Sequence, residues 1–205
     1  MKNRTLADFC AMSASYAPVP GGGGVSAAIG ALSAALGEMV TNLTIGKKKY
    51  LQYNEELETI RKELSDLREM LLDCINRDAE AFKPLAEAYK IPKEDPEYSC
   101  RMEKCLKTAA DSPFQILKLA CRIIELDDRL SVIGSKLSVS DAATSVMLAH
   151  GVLYGAYINI IVNTNLMEDR DYAIALENEA QILLNKYSEK AFRIFDAIKT
   201  RLNNG

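Results

Sequence analysis

The chain has 205 residues, 48% of them apolar and 26% charged, enough to bury one sizeable core as a single domain over residues 1–205. A formal net charge of −3 gives no basic field of the kind that gathers nucleic acid or an anionic membrane, so neither is an expected partner. One histidine, five cysteines without a CxxC pair, and a polar opening MKNRTLADFC argue for a cytoplasmic protein with reduced thiols and no bound metal.

Nowhere do four or more residues alternate apolar with polar between turn signals, so helices are the expected elements. Thr5, with Asp8 three residues on, opens a short helix that runs to about Tyr16. The stretch Ala17-Pro18-Val19-Pro20-Gly21-Gly22-Gly23-Gly24 breaks it as a loop. From Val25 to Ile45 nearly every residue is apolar or small, and Glu38 is the only charge. That length suits a membrane span, but Ser26, Ser33, Thr41, Asn42 and Thr44 make it too polar. A helix buried in the middle of a bundle is the better reading, with Ala27, Gly30, Ala34, Gly37 and Thr41 as a stripe for close helix approach.

The clearest periodicity lies between Tyr50 and Tyr89. Leu57, Ile60, Leu64, Leu67, Leu71, Cys74, Asp78, Ala81, Leu85 and Ala88 follow the three-and-four spacing of a helix seam. A helix of that reach, about 60 Å at 1.5 Å per residue, suits a bundle or a dimer. Pro92 and Pro96 mark a turn, after which helices are expected over residues 97–110, 113–133, 140–167 and from 169 to the end. Ser112 ahead of Pro113 reads as an N-cap with N1 proline, and Ser138 with Asp141 as a second capping box.

Asp78 stands out because it interrupts an apolar seam, and an unpaired buried carboxylate is costly. It is either a buried, register-setting polar group or, facing a pocket, a general acid or base. The four glycines leave first-turn amides that suit an anion, or else allow close helix packing. Lys47, Lys48 and Lys49 follow the central helix, where they complement its dipole or receive an acidic substrate tail. Asn159 and Asn163 share a helix face, which suits two amides holding one planar ligand or bonding within the bundle. His150 alone reads as a core or surface residue.

Several stretches, in order, carry a resemblance: Pro20-Gly21-Gly22-Gly23-Gly24-Val25-Ser26-Ala27; Asn42-Leu43-Thr44-Ile45-Gly46-Lys47-Lys48-Lys49-Tyr50; Asp78-Ala79-Glu80-Ala81-Phe82; Ile91-Pro92-Lys93 with Pro113; and Ser140-Asp141 leading to Gly155-Ala156-Tyr157-Ile158-Asn159 and Asn163. Together they resemble the cyclodeaminase/cyclohydrolase family, which includes the C-terminal domain of formiminotransferase-cyclodeaminase and free-standing bacterial relatives. The resemblance implies an all-α, homodimer-forming helical bundle with a buried Gly/Ala-rich central helix and long antiparallel helices, acting on one-carbon derivatives of tetrahydrofolate without a further cofactor. The reaction implied first is cyclodeaminase chemistry, closing 5-formiminotetrahydrofolate to 5,10-methenyltetrahydrofolate with loss of ammonia. The alternative is the cyclohydrolase, which opens the methenyl ring with water to 10-formyltetrahydrofolate, and a third reading is a non-catalytic helical folate-binding or dimerisation module.

The same resemblance puts the catalytic aspartate on Asp78; with a folate as substrate, the expected binding residues are Gly21, Gly22, Gly23, Gly24, Asn42, Lys47, Lys48, Asp141, Asn159 and Asn163. Asn42, Asn159 and Asn163 are expected at the pterin edge, and the glycine loop and lysines at the carboxylate tail. Asp141 is eighteen residues from Asn159, about 27 Å along a helix, so the two are not expected in one small pocket of one subunit. The family often carries Ser where this chain has Gly24.

Overall fold

Thr5 begins the first helix as expected, its hydroxyl accepting the Asp8 amide at 3.1 Å and capping α1 (Leu6–Ser13). The structure, a computed structural model, describes residues 1–204. After α1 come α2 (Gly22–Asn42), a 3-10 helix (Lys48–Tyr53), α3 (Asn54–Ala88), α4 (Tyr98–Ile133), α5 (Val139–Thr164) and α6 (Arg170–Asn203), with no strand among the described residues.

Several boundaries differ from the sequence reading, and α1 and α5 each end three residues early, at Ser13 and Thr164. Gly22, Gly23 and Gly24 form the first turn of α2 rather than a loop, because Gly21 takes the N-cap position. The helix also ends earlier, at Asn42. Pro113 starts no new helix: α4 runs continuously from Tyr98 to Ile133 with the proline inside it. Burial on that face outweighs the missing amide, since Pro113, Phe114, Ile116 and Leu117 are all buried. The expected Ser138 cap is also absent, for the Ser138 hydroxyl turns back to the Ser135 carbonyl at 3.3 Å.

α2 is the centre of the bundle and packs against α3, α4 and α5. Its small-residue stripe is buried along its whole length, from Ala27 and Gly30 through Ala34 and Gly37 to Thr41. Those positions admit the seam of α3. A Cβ added to Gly30 would lie 3.1 Å from Leu71 Cδ2, and one on Gly37 would lie 3.0 Å from Leu64 Cδ1, tighter than ordinary van der Waals contact. Gly23 meets Asp78, Gly30 meets Leu71 and Gly37 meets Leu64, so α3 runs antiparallel to α2 in steps of one heptad. α5 is antiparallel on the other flank, where Gly22 meets Asn159 and the Ser33 hydroxyl donates to the Ser145 carbonyl at 2.8 Å.

One buried acid sits in this core. Asp127 of α4 has no solvent exposure; its Oδ2 lies 2.7 Å from Ser145 Oγ, and its Oδ1 has no partner. α2 and α5 are each apolar and long enough to cross a membrane by length and composition, but the inner face of α2 is covered by its three neighbours.

Candidate active site

The seam of α3 is only half-buried at Asp78 and Ala81, opposite the start of α2. A cleft of about 200 Å³ opens there. Its floor is the Gly21–Gly22–Gly23 backbone, α3 contributes Asp78, α4 contributes Ala109 and Pro113, and α5 contributes Asn159 and Asn163. Phe82, Leu85, Tyr89 and Val162 supply apolar walls. Thus Asp78, Gly21, Gly22, Gly23, Asn159 and Asn163, picked from segments far apart in sequence, come together in one concavity.

The Asp78 carboxyl stands against the amino end of α2. Gly21 offers no capping side chain, so the first-turn amides are free for an acceptor, and the Gly24 amide donates toward the carboxyl. Burial pushes the Asp78 carboxyl above the ordinary carboxylate range, and the Gly24 amide and Ser112 hydroxyl pull in the opposite direction. Ser112 faces the carboxyl from α4 but completes no hydrogen bond of normal geometry, leaving a buried hydroxyl oxygen without a partner. The sequence reading treats Ser112 only as a cap; its place in the heptad opposite Asp78 becomes visible once α4 is continuous.

Glycine is required at 22 and 23 by this arrangement. A Cβ on Gly23 would overlap the Asp78 carboxyl, and one on Gly22 would lie 2.9 Å from the Asn159 amide nitrogen. The amides that the sequence reading gives to the substrate's carboxylates therefore face Asp78 itself. A Cβ on Gly24 would lie 3.7 Å from Asp78 Oδ2, so a serine there would bring its hydroxyl beside that carboxyl; here Ser112 brings one from α4 instead.

Asn159 donates to the Gly155 carbonyl and Asn163 to the Asn159 carbonyl, each at 2.7 Å, which anchors both amides to their own helix and leaves their oxygens free to accept. Pro113 lacks an N–H, so the Ala109 carbonyl loses its usual helical partner, and both residues line the cleft. The site is thus rich in acceptors, has one desolvated carboxyl, and has no lysine or arginine in its lining.

The remaining expected positions lie elsewhere. Asn42 is the last residue of α2, Lys47 and Lys48 follow it, and Asp141 lies in the first turn of the antiparallel α5, so all four share the opposite end of the bundle. The length of α2, roughly 30 Å, separates them from the cleft. There Lys47 donates to Ser135 Oγ at 3.0 Å, and Arg61 reaches Asn42 at 3.5 Å. His150 is stacked edge-on to Tyr154 and Phe192 between α5 and α6, outside the cleft lining, and burial lowers its pKa.

The site is a small apolar-walled cleft with one desolvated acid, set at a helix amino terminus in an all-helical bundle, an arrangement chemically suited to proton transfer. The family model described as "Formiminotransferase-cyclodeaminase" matches residues 5–182. A methenyltetrahydrofolate cyclohydrolase of Methylorubrum extorquens is 35% identical over 205 residues, covering 98% of this chain and 99% of that protein. The formimidoyltransferase-cyclodeaminase of Mus musculus is 25% identical over 186 residues, and the match covers 34% of its length. Among solved structures, the formiminotetrahydrofolate cyclodeaminase of Thermotoga maritima superposes with a TM-score of 0.85 at 27% identity, covering 99% of this chain and 98% of that one. The chain belongs to the formiminotransferase-cyclodeaminase family.

Proposed function

We propose that this protein is a folate one-carbon enzyme that makes or breaks the bridge between N5 and N10 of tetrahydrofolate, with Asp78 as the proton shuttle. The observation that carries the reading is the single desolvated carboxyl of Asp78 in a cleft of a family whose relatives are named for such reactions. Asn159 and Asn163 meet the pterin edge in this reading, which is supported by their lining the same cleft with amide oxygens not used within α5. A cleft of about 200 Å³ is below the 300–1,000 Å³ of pockets that enclose a whole drug-sized ligand, so it suits the reacting end of the folate rather than the whole molecule.

Methenyltetrahydrofolate cyclohydrolase is the reading favoured by the full-length relative at 35% identity. In that reaction water adds to the methenyl carbon while Asp78 takes its proton. The C–N5 bond then breaks as Asp78 returns the proton to N5, giving 10-formyltetrahydrofolate, and the second water proton leaves to solvent. Cyclodeaminase is the second reading, favoured by the Thermotoga relative at TM-score 0.85. There N10 attacks the carbon of the protonated formimino group, Asp78 moves the N10 proton to the departing NH2, and ammonia leaves as the C–N bond breaks and the methenyl cation forms. Both reactions need one group that accepts and then delivers a proton, and a carboxyl raised by burial is closer to that task than an exposed one. Neither sequence of steps calls for a redox group or a metal.

We also infer that the protein acts as a homodimer, because a central helix keeps an uncharged outer face. The two enzymatic readings separate when purified protein is given methenyltetrahydrofolate and, independently, 5-formiminotetrahydrofolate. Accelerated loss of the methenyl chromophore supports the cyclohydrolase, and ammonia release supports the cyclodeaminase. Silence with both substrates contradicts the enzymatic reading and leaves a binding module.

A further inference from the structure

The Ile91-Pro92-Lys93 stretch lines no part of the Asp78 cleft. It borders a neighbouring hollow of about 340 Å³, walled by Tyr89, Ile91, Lys93, Tyr98, Met102 and Leu166. Tyr89 lines both concavities, so the two adjoin at the carboxyl end of α3. The other walls continue in the same direction. On α4, Met102 lies one heptad, about 10 Å, before Ala109 of the cleft, and Leu166 follows Val162 and Asn163 by about one turn, just past the end of α5. The cleft alone is too small for a folate, but the two concavities together reach the 300–1,000 Å³ of pockets that enclose a drug-sized ligand.

The chemistry of the hollow differs from that of the cleft. Two phenol rings, Met102 and Leu166 give it apolar walls that suit an aryl ring. Lys93 supplies an exposed ammonium that pairs with no carboxylate among the described residues. The two acids of the lining are engaged within the protein: Glu103 Oε2 accepts the Glu168 amide at 2.8 Å and its Oε1 lies 3.5 Å from Lys107 Nζ, while the Glu168 carboxylate accepts the Ser99 hydroxyl. In tetrahydrofolate the aminobenzoyl ring hangs directly on N10, and the glutamate carboxylates follow the ring. A one-carbon bridge held at Asp78 therefore sends an aryl ring out of the cleft first and an anion after it.

We propose that the hollow beside Tyr89 is a tail site for the folate, in which Tyr89, Tyr98 and Met102 hold the aminobenzoyl ring and Lys93 receives a glutamate carboxylate. This assignment rests on the folate reading above. It gives the Asp78 cleft a cation next to it on the same chain, whereas Lys47 and Lys48 lie the length of α2 away.

Binding and turnover of Lys93→Ala test it. Lys90→Ala serves as control, since Lys90 is exposed on the same stretch but pairs with Glu87 at 2.7 Å outside the hollow. The binding probe is 5-formyltetrahydrofolate, compared by calorimetry with 5-formyltetrahydropteroate, which lacks the glutamate. Wild type and Lys90→Ala are expected to bind the folate about 10-fold more tightly than the pteroate, the effect of one charge-assisted hydrogen bond, and Lys93→Ala to lose that preference. In turnover, Lys93→Ala is expected to raise KM for the folate by the same factor at unchanged kcat, because the tail is held equally before and during the chemical step. A Lys93→Ala variant that keeps the wild-type preference for folate over pteroate overturns the assignment, whatever its rate. Turnover by wild type without any preference for the glutamate also overturns it and leaves the reaction standing. Wild type that shows a Lys93-dependent preference but turns over neither methenyltetrahydrofolate nor 5-formiminotetrahydrofolate refutes the reaction and leaves the tail site supported.

Discussion

At Asp78 burial drives the carboxyl toward its neutral form, while the Gly24 amide and the positive end of α2 favour the anion. A group balanced in this way gives up and regains a proton more readily than an exposed aspartate. Its position depends on Gly23, where any side chain would displace it. Gly23→Ala is expected to fold with the Asp78 carboxyl pushed aside and to lose turnover by about 10²-fold, the usual cost of misplacing a reacting group by about 1 Å. Circular dichroism melting and steady-state rates on the same preparation check this. Asp127 presents the opposite case, a carboxyl without solvent or a nearby cation. Ser145 has one hydroxyl proton and two acceptors, the Ser33 carbonyl at 2.8 Å and Asp127 Oδ2 at 2.7 Å. A protonated Asp127 resolves the conflict by donating to Ser145, which then donates to Ser33, and burial pushes its pKa well up accordingly. Because the native state holds this proton longer than the unfolded chain, stability falls by about 1.4 kcal/mol per pH unit as pH rises above about 4, until the native pKa is passed. Asp127→Asn keeps the donor and removes that slope. Urea unfolding of both proteins between pH 4 and pH 8 is expected to show the variant gaining on the wild type as pH rises; a constant difference would mean that Asp127 is ionised in the native state.

Among the elements, α2 shows most directly how packing overrides local preference. Ala is the better helix former at any interior glycine by about 1 kcal/mol, yet a Cβ on Gly37 would press on Leu64 at 3.0 Å and Asp127 at 3.2 Å. Gly37→Ala is therefore expected to destabilise the bundle by about 1–3 kcal/mol, measured by denaturant midpoint at unchanged slope. Leu71→Ala, which empties the fully buried partner of Gly30, is expected to cost about 3–5 kcal/mol. These contacts were legible in advance because a heptad seam and a stripe of small residues are written in the residue spacing. The Asp78 break in the seam was legible for the same reason, and it marks the mouth of the cleft. Pro113 was misleading: a proline after Ser112 carries the signature of a helix start, and only the apolar residues flanking it on both sides hold α4 together through it. The glycine run was similarly ambiguous, since its role as a first helical turn depends on Asp78 arriving from α3 to stand against its amides.

In the whole molecule, two antiparallel pairings made by α2 put the residues singled out in the sequence at opposite ends. Asp78, Asn159 and Asn163 meet at one end because α3 and α5 both run against α2, while Asn42, Lys47, Lys48 and Asp141 collect at the other. Short motifs in register along a chain reveal a shared architecture, but which of them meet depends on helix direction and on what covers the outer face. The cleft holds a single titratable carboxyl, Asp78, to which the proposed function assigns the proton transfer. That assignment is tested most directly by the pH dependence of methenyltetrahydrofolate hydrolysis and 5-formiminotetrahydrofolate deamination in wild type and Asp78→Asn. Wild type should show an acidic limb above the ordinary carboxylate range, with activity lost as pH falls and the shuttle is protonated, while Asp78→Asn should fold normally, lose that limb and fall by about 10²–10⁴-fold in the reaction that the protein performs. An Asp78→Asn variant with the wild-type rate and profile would contradict the account.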